Sequence, residues 1–210
     1  MQIWLFIRNN ISQSFKSHYN AAIALCDRQK GADVDVIILE DTRNQPGKHD
    51  MKNRYFAEHD VEVRRTKLYV GDYTLPADQR ICIDTKKDIQ ELIGDICGKS
   101  HERFRDECIR AQEANVKLII LVENEAGYVD RKQTIYNKVV RSVNDLFSWV
   151  NPRLFIWKGG KQKYPAATKG SVLAKCCLTM SEKYGVEFQF CTHAEAGERI
   201  LSILNVKQEE

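Results

Sequence analysis

The apolar positions change period several times along the chain. Residues 34–40 (VDVIILE) and 117–123 (KLIILVE) are nearly continuous apolar runs, as expected of central strands covered on both faces. Between them, residues 61–87 read as two strands joined by a polar connection. Val61, Val63, Leu68 and Val70 form the first, which Gly71-Asp72 breaks, and Pro76, Ala77 and Asp78 fill a turn. The second, from Ile81 to Lys86, alternates. Tyr55 and Phe56 fall in a short helix before this pair.

Helical spacing takes over beyond Lys87. Ile89, Leu92, Ile93 and Ile96 line one side of a helix stopped at Gly98, with Asp88 and Glu91 spaced as an N-cap and its third residue. Ser100 caps a second helix with Phe104, Cys108 and Ala111 inward. Val139, Val140, Val143, Leu146, Phe147 and Val150 predict a third over residues 136–150. A short strand at 154–157, a glycine- and lysine-rich loop at 158–169, a helix over 168–184, a strand at 186–190 and a helix with Ile200, Leu201 and Leu204 follow. Upstream, Phe15, Tyr19, Ala22, Ile23 and Cys26 recur at helical spacing before Gly31, so residues 1–31 read as an appended helix. Residues 207–210 are a tail. The alternation predicts an α/β fold, a mixed central sheet flanked by helices.

Composition narrows the function classes. A net charge of only +3 in 210 residues gives no domain-wide basic field, so any phosphate-binding surface must be local. Seven cysteines without a Cys-x-x-Cys pair, and no signal peptide, predict a reducing, cytoplasmic setting. The histidines show no zinc spacing with the cysteines. No Gly-x-Gly-x-x-Gly or P-loop stands between strand and helix, so no nucleotide cofactor is expected. The apolar opening, residues 1–7, is far too short to cross a membrane.

The chemistry concentrates at residues 81–86. Alternation puts Ile81, Ile83 and Thr85 on one strand face and Cys82, Asp84 and Lys86 on the other, pointing away from the apolar side. Asp72 can fold back beside them. A hard divalent cation needs such oxygen ligands, and a lysine beside it can position a hydroxide. Spacing alone favours the plainer reading, a solvated strand face with a weak ion pair.

The order of the neighbours adds to this. Asp41-Thr42-Arg43-Asn44-Gln45 is similar to the Asp-x-Arg-Glu-Gln of the XPF-type structure-specific endonucleases, a branch of the PD-(D/E)xK nucleases. Residues 68–73 (LYVGDY) match its Leu-x-Val-Gly-Asp-Tyr. Ile83-Asp84-Thr85-Lys86 stands where that family has Val-Glu-Arg-Lys, and residues 101–107 (HERFRDE) resemble its Gly-Arg-Phe helix. The strand ending Leu121-Val122-Glu123 and the closing strand and helix follow in order. The likeness covers about residues 34–206 and is nearest to stand-alone phage and prophage forms. It implies a restriction-endonuclease-like fold for residues 32–206.

The resemblance also implies roles. Asp72 and Asp84 become metal ligands for Mg²⁺ or Mn²⁺, with the carbonyl of Thr85 a third. Lys86 stands beside the attacking water, and Asp41 ligates through water or orients the site. From the residues themselves, Arg43, Arg80, Lys87 and Arg103 read as phosphate contacts or as ordinary solvated charges, and the loop with Lys161, Lys163 and Tyr164 as a strand clamp or a plain surface loop. Glu91 and Glu107 are accessory acids, whereas Asp88 reads as a cap, and Glu123 as a strand-end residue rather than a base behind the site. This chain departs from the family at Thr85, Asn44 and Gln90, the last in place of an acid. With no tandem helix-hairpin-helix module, selectivity for flap, fork or branched DNA does not follow from the motif.

The expected function is a metal-dependent DNA endonuclease in replication, repair or recombination, in a bacterial or phage-infected cell. The alternative is a catalytically silent nuclease-like module that binds DNA or a partner. Since XPF-type domains pair through helices, the stripe over 136–150 predicts a homodimer.

Overall fold

Six strands form one sheet in the order β10-β5-β4-β3-β1-β2 in the computed structural model, which describes residues 36–45, 47 and 49–206. They are β1 (Val36–Asp41), β2 (Val61–Thr66), β3 (Tyr73–Thr74), β4 (Ile81–Lys86), β5 (Lys117–Glu123) and β10 (Glu187–Cys191). β1 runs parallel to β2, and β4, β5 and β10 are mutually parallel. Only β3 runs against its neighbours, antiparallel to both β1 and β4. The α/β class and mixed sheet expected from the sequence are found. The expected helix over 1–31 and the tail lie outside the described residues.

The apolar runs of β1 and β5 are buried because helices cover both faces of the sheet. One face packs Cys82, Leu118, Ile120 and Val122 against α2 (Ile89–Ile96), α3 (His101–Glu113) and α4 (Gly170–Tyr184). The other packs Ile38, Tyr73, Ile83 and Leu121 against α1 (Asp50–Glu58) and α5 (Ala196–Ile203). The strand face carrying Cys82, Asp84 and Lys86 therefore does not point away from the core as expected; α2 and α3 bury it. No helix among the described residues is long and apolar enough to cross a membrane.

Three local expectations change. β2 and β4 are not partners: β2 is the edge strand beside β1, and Leu68 and Val70 are buried in irregular chain that leads to β3. The strand expected at 154–157 is mostly a 3-10 turn (Pro152–Phe155), with β8 (Trp157–Lys158) and β9 (Lys161–Gln162) forming a hairpin in the lysine-rich loop.

The third change is at 136–150, which is not a helix. A hairpin of β6 (Gly127–Tyr128) and β7 (Tyr136–Asn137) gives way to a 3-10 turn (Val143–Phe147) that starts at a Ser142–Asp145 capping box. Two buried asparagines hold this path. Asn137 accepts the N–H of Val150 and donates to its carbonyl, and Asn124 does the same for Val140. Each side chain occupies a peptide group that a helix would have bonded along its own axis. The 3-10 turn then packs so closely on α4 that a Cβ at Gly170 would run into the carbonyl oxygens of Leu146 and Trp149.

Candidate active site

Because β1, β4, β5 and β10 run the same way, their carboxyl ends share one edge of the sheet, and the reversed β3 brings its amino end there too. In open α/β sheets ligands bind outside that edge. Here it collects Asp41, Asp72, residues 84–86 and Glu123.

Gly71 turns the chain into β3. Its φ is +71°, and a Cβ there would lie 2.8 Å from the Ile83 carbonyl oxygen, so glycine alone fits. The Asp72 N–H then donates to that carbonyl at 2.6 Å. With Tyr73 paired to Ile83, this sets Asp72 beside Asp84 across the ladder. Asp72 Oδ2 accepts from the Thr85 N–H at 2.9 Å and the Thr85 hydroxyl at 2.6 Å. From α3, Glu107 accepts the Gly71 N–H at 2.9 Å.

The Lys86 ammonium lies 2.6 Å from Asp84 Oδ2 and 2.8 Å from Asp95 Oδ2 on α2, with the Phe104 ring 5.4 Å from its nitrogen. Asp84, Lys86 and Asp95 are each buried, at 6%, 6% and 5% exposure. Burial raises the pKa of Asp72 against its Thr85 donors and Lys86, with Glu107 adding to the rise. Asp84 stands well above an ordinary carboxylate: burial, with Asp72 and Glu107, outweighs Lys86. Burial also works against the Lys86 ammonium, but Asp84 and Asp95 reverse that and hold its pKa above the usual lysine value. One buried cation thus serves a group of four carboxylates.

That excess of negative charge bears on whether a divalent metal fits. Asp84 Oδ2 faces the Lys86 ammonium at 2.6 Å and accepts from no other donor. A buried carboxylate oxygen with unspent lone pairs is normally satisfied by some partner, and a hard cation suits it. Among the described residues no three His, Cys, Asp or Glu side chains converge as ligands. One or two carboxylates, however, are the usual protein share of a Mg²⁺ site, with waters completing it. The donor set of Asp72 and Asp84 fits Mg²⁺ or Mn²⁺.

The other expected residues divide. Asp41 has both oxygens occupied: Oδ1 accepts from the Arg43 N–H and Nε, and Oδ2 from Arg43 Nη2 and the Leu68 N–H. Burial opposes its charge, but these donors hold its pKa below the usual carboxylate value. Its own N–H donates to the Asp72 carbonyl at 2.8 Å, so it braces the strand that carries Asp72. Arg43 is half-exposed, Lys87 is exposed beside Lys86, and Arg103 reaches to 3.8 Å from Asp95. These three rim the carboxylates.

Asp88 caps α2 as expected, accepting the Glu91 N–H at 2.7 Å, and Glu91 accepts the Lys87 N–H at 2.9 Å. Arg80 precedes β4 at the opposite end of the strand from Lys86, paired with Asp78, so the structure does not bring it to the site. Lys161 and Lys163 belong to the β8–β9 hairpin, and no contact joins them to the carboxylates.

Sequence reasoning missed Asp95. Its signal was available: an acid between Leu92 and Ile96 on an apolar helix face is buried and needs a partner. It also misjudged Glu123, which is no mere strand end. Buried at 5% exposure, Glu123 pairs with the equally buried Lys52 of α1 and with His193 Nδ1 at 2.8 Å.

Residues 41–204 match the ERCC4 domain. No curated protein matches the chain in sequence. Among solved structures it is similar to XPF from Aeropyrum pernix, at a TM-score of 0.52 and 14% identity, covering 81% of this chain and 64% of that one. It is likewise similar to XPF from Aeropyrum pernix in complex with DNA, at a TM-score of 0.50 and 15% identity, with the same coverage. The chain thus spans somewhat less than two thirds of those structures, and at such identities the likeness is one of fold.

Proposed function

The chain belongs to the ERCC4 domain family, and on that premise we propose that it is a divalent-metal-dependent DNA endonuclease hydrolysing phosphodiester bonds. The observation that carries the reading is Asp72 and Asp84 lying side by side next to Lys86, inside a group where carboxylates outnumber the one ammonium. Clustered carboxylates destabilise a metal-free site.

Asp72 and Asp84 would hold Mg²⁺ or Mn²⁺, with the Thr85 carbonyl available as a further oxygen. When bound, the metal supplies Lewis acidity and lowers the pKa of a bound water. The chain's own residues do the rest. Thr85 fixes Asp72 through two hydrogen bonds, leaving the other Asp72 oxygen for a ligand. Lys86 stays protonated between Asp84 and Asp95, so its positive charge is available to the anionic phosphate and to the charge that builds on it. Asp41 orients β1 against Asp72. Arg43, Lys87 and Arg103 supply exposed cations for the flanking DNA backbone. Work in replication, repair or recombination, in the cytoplasm of a bacterial or phage-infected cell, is consistent with such an activity.

A second reading rests on one observation: Gln90, where the family resemblance places an acid, donates a hydrogen bond from its side-chain amide to Asn151 instead. This favours a silent relative that binds DNA without cutting. A homodimer through residues 136–150 is not proposed, since the helix that suggested it is absent. The deciding experiment is cleavage of labelled flap, fork, duplex and single-stranded DNA with Mg²⁺, Mn²⁺ or EDTA. Metal-dependent cutting that Asp84→Asn abolishes supports the nuclease. Binding without cutting under every condition supports the silent module.

A further inference from the structure

Residues 127–169 carry nine lysines and arginines against two aspartates, in a chain whose total net charge is only +3. All nine cations are exposed. Among the described residues only one of them, Arg141, pairs with a carboxylate, that of Glu195. The two aspartates are occupied by the backbone. Asp130 accepts the N–H groups of Thr134 and Ile135 at 2.8 Å each, and Asp145 closes the capping box with Ser142. The low overall charge hides a strongly basic surface.

The same segment leaves large aromatic rings in solvent. In the β6–β7 hairpin Tyr128 is paired directly across from Tyr136, their rings edge-to-face at 5.0 Å and 58% and 54% exposed. In the β8–β9 hairpin Trp157 is 54% exposed beside Lys158, which pairs with Lys161. Exposed aromatics set among cations that mostly lack a carboxylate partner, two of them (Arg153 and Lys163) against the Tyr164 ring, offer π-faces and backbone charge together, the combination that holds unstacked bases. Isolated exposed apolar residues need no explanation, but two hairpins presenting rings within one basic segment do.

The segment is also fastened to the catalytic motif. Buried Asn151 accepts a hydrogen bond at 2.7 Å from the side-chain amide of Gln90, in the first turn of α2, and donates at 2.8 Å to the Thr168 carbonyl. The loop that carries the β8–β9 hairpin is thereby closed at its base and tied to the helix that directly follows Lys86. Gln90 stands where the family resemblance places an acid, and here its amide secures this surface instead.

We propose that residues 127–169 form a binding surface for single-stranded DNA, with the hairpin rings stacking on bases and the lysines following the backbone. The purpose rests on the nuclease reading: the surface would grip the unpaired arm of a substrate whose junction lies at the carboxylates. A duplex keeps its base faces stacked inside, so it can use the cations of this surface and not its rings.

The test is fluorescence anisotropy in EDTA, where no cutting occurs, with labelled oligo-dT and with a hairpin duplex of equal length. Oligo-dT should bind more tightly than the duplex. Trp157→Ala should weaken oligo-dT binding by at least about fivefold, while duplex binding and the melting temperature stay near the wild-type values. Replacing Lys158, Lys161 and Lys163 by alanine should reduce the salt dependence for oligo-dT by a slope of roughly 2.

Wild-type oligo-dT binding by both variants overturns the proposal. So does a wild-type dimer, measured by light scattering, that Trp157→Ala dissociates, because the rings would then be a protein interface. The two readings fail separately. Cutting that persists with these variants binding normally removes the surface and spares the nuclease. Ring-dependent oligo-dT binding, in a wild-type protein that cuts nothing with Mg²⁺ or Mn²⁺, removes the nuclease and spares the surface.

Discussion

Asp95 sets a carboxylate oxygen 2.8 Å from the ammonium of Lys86. It does so from α2, across from Asp84 on the strand, so Lys86 is oriented by a group that is not itself disposed toward a metal. Outer partners of this kind typically matter by about 10- to 100-fold in activity or metal affinity. Asp95→Asn is therefore expected to lower turnover by about that factor with KM for DNA little changed. Unchanged turnover in a folded Asp95→Asn protein would reduce Asp95 to a structural partner.

Among the described residues Lys86 is the only cation within salt-bridge distance of Asp84. Removing one partner of a buried ion pair costs about 3–5 kcal/mol, because a charge is left uncompensated. Lys86→Met should lose stability on that scale at neutral pH. The sign with pH follows from the raised pKa of Asp84. Its folded pKa exceeds the unfolded one, so the folded state binds the extra proton between the two, and stability rises as pH falls through that window. Thermal melts from neutral pH downward should show Lys86→Met closing much of its gap to wild type. A gap independent of pH would argue that the loss is one of packing against Phe104.

Metal and acid are linked in the same way. Mg²⁺ or Mn²⁺ should raise the melting temperature of the wild-type protein, since a ligand that binds only the folded state stabilises it. Asp84→Asn should remove that response together with cleavage. In EDTA at neutral pH the variant should melt no lower than wild type, because it removes a buried charge whose ionisation opposes folding. A metal-induced shift retained in full by Asp84→Asn would move the site elsewhere.

Asp88 is close to the motif yet acts on the helix. Its side chain accepts the Glu91 N–H at 2.7 Å, and loss of such a cap costs about 0.5–2 kcal/mol. Asp88→Ala should be destabilised by that amount in denaturant melts, while turnover per folded molecule stays within a few-fold. Abolished cleavage at unchanged stability would transfer Asp88 to the catalytic group.

The legible parts of this site are those encoded locally. Gly71-Asp72-Tyr73 and Asp84-Thr85-Lys86 are read directly, because a left-handed glycine and an alternating strand fix their side chains within a few residues. Arg80 failed for a local reason as well. At about 3.3 Å per residue along β4, six residues carry it to the far end of the strand from Lys86, a distance the linear motif conceals. Asp95 was lost because an apolar stripe is read by its apolar members, and the acid among them was passed over. The helix expected at 136–150 failed because the side chains of Asn124, upstream of the segment, and Asn137, within it, take up backbone groups that periodicity assigns to a helix. Of the basic surface only the lysine-rich loop was legible, because whole-chain charge averages the other cations of residues 127–169 away against acids elsewhere.

The order of pairing in the sheet also governs how the nascent chain behaves. Ile83 pairs with Ile119, but Ile119 waits for Glu187, a residue near the end of the domain. Asp72 and Asp84 can therefore come together across the short β3–β4 connection long before β10 has left the ribosome. Until it does, the KLIILVE strand presents an open hydrophobic edge, a template on which other chains can pair. Truncation ahead of residue 187 should thus yield aggregates, although every carboxylate of the site would already have been synthesised.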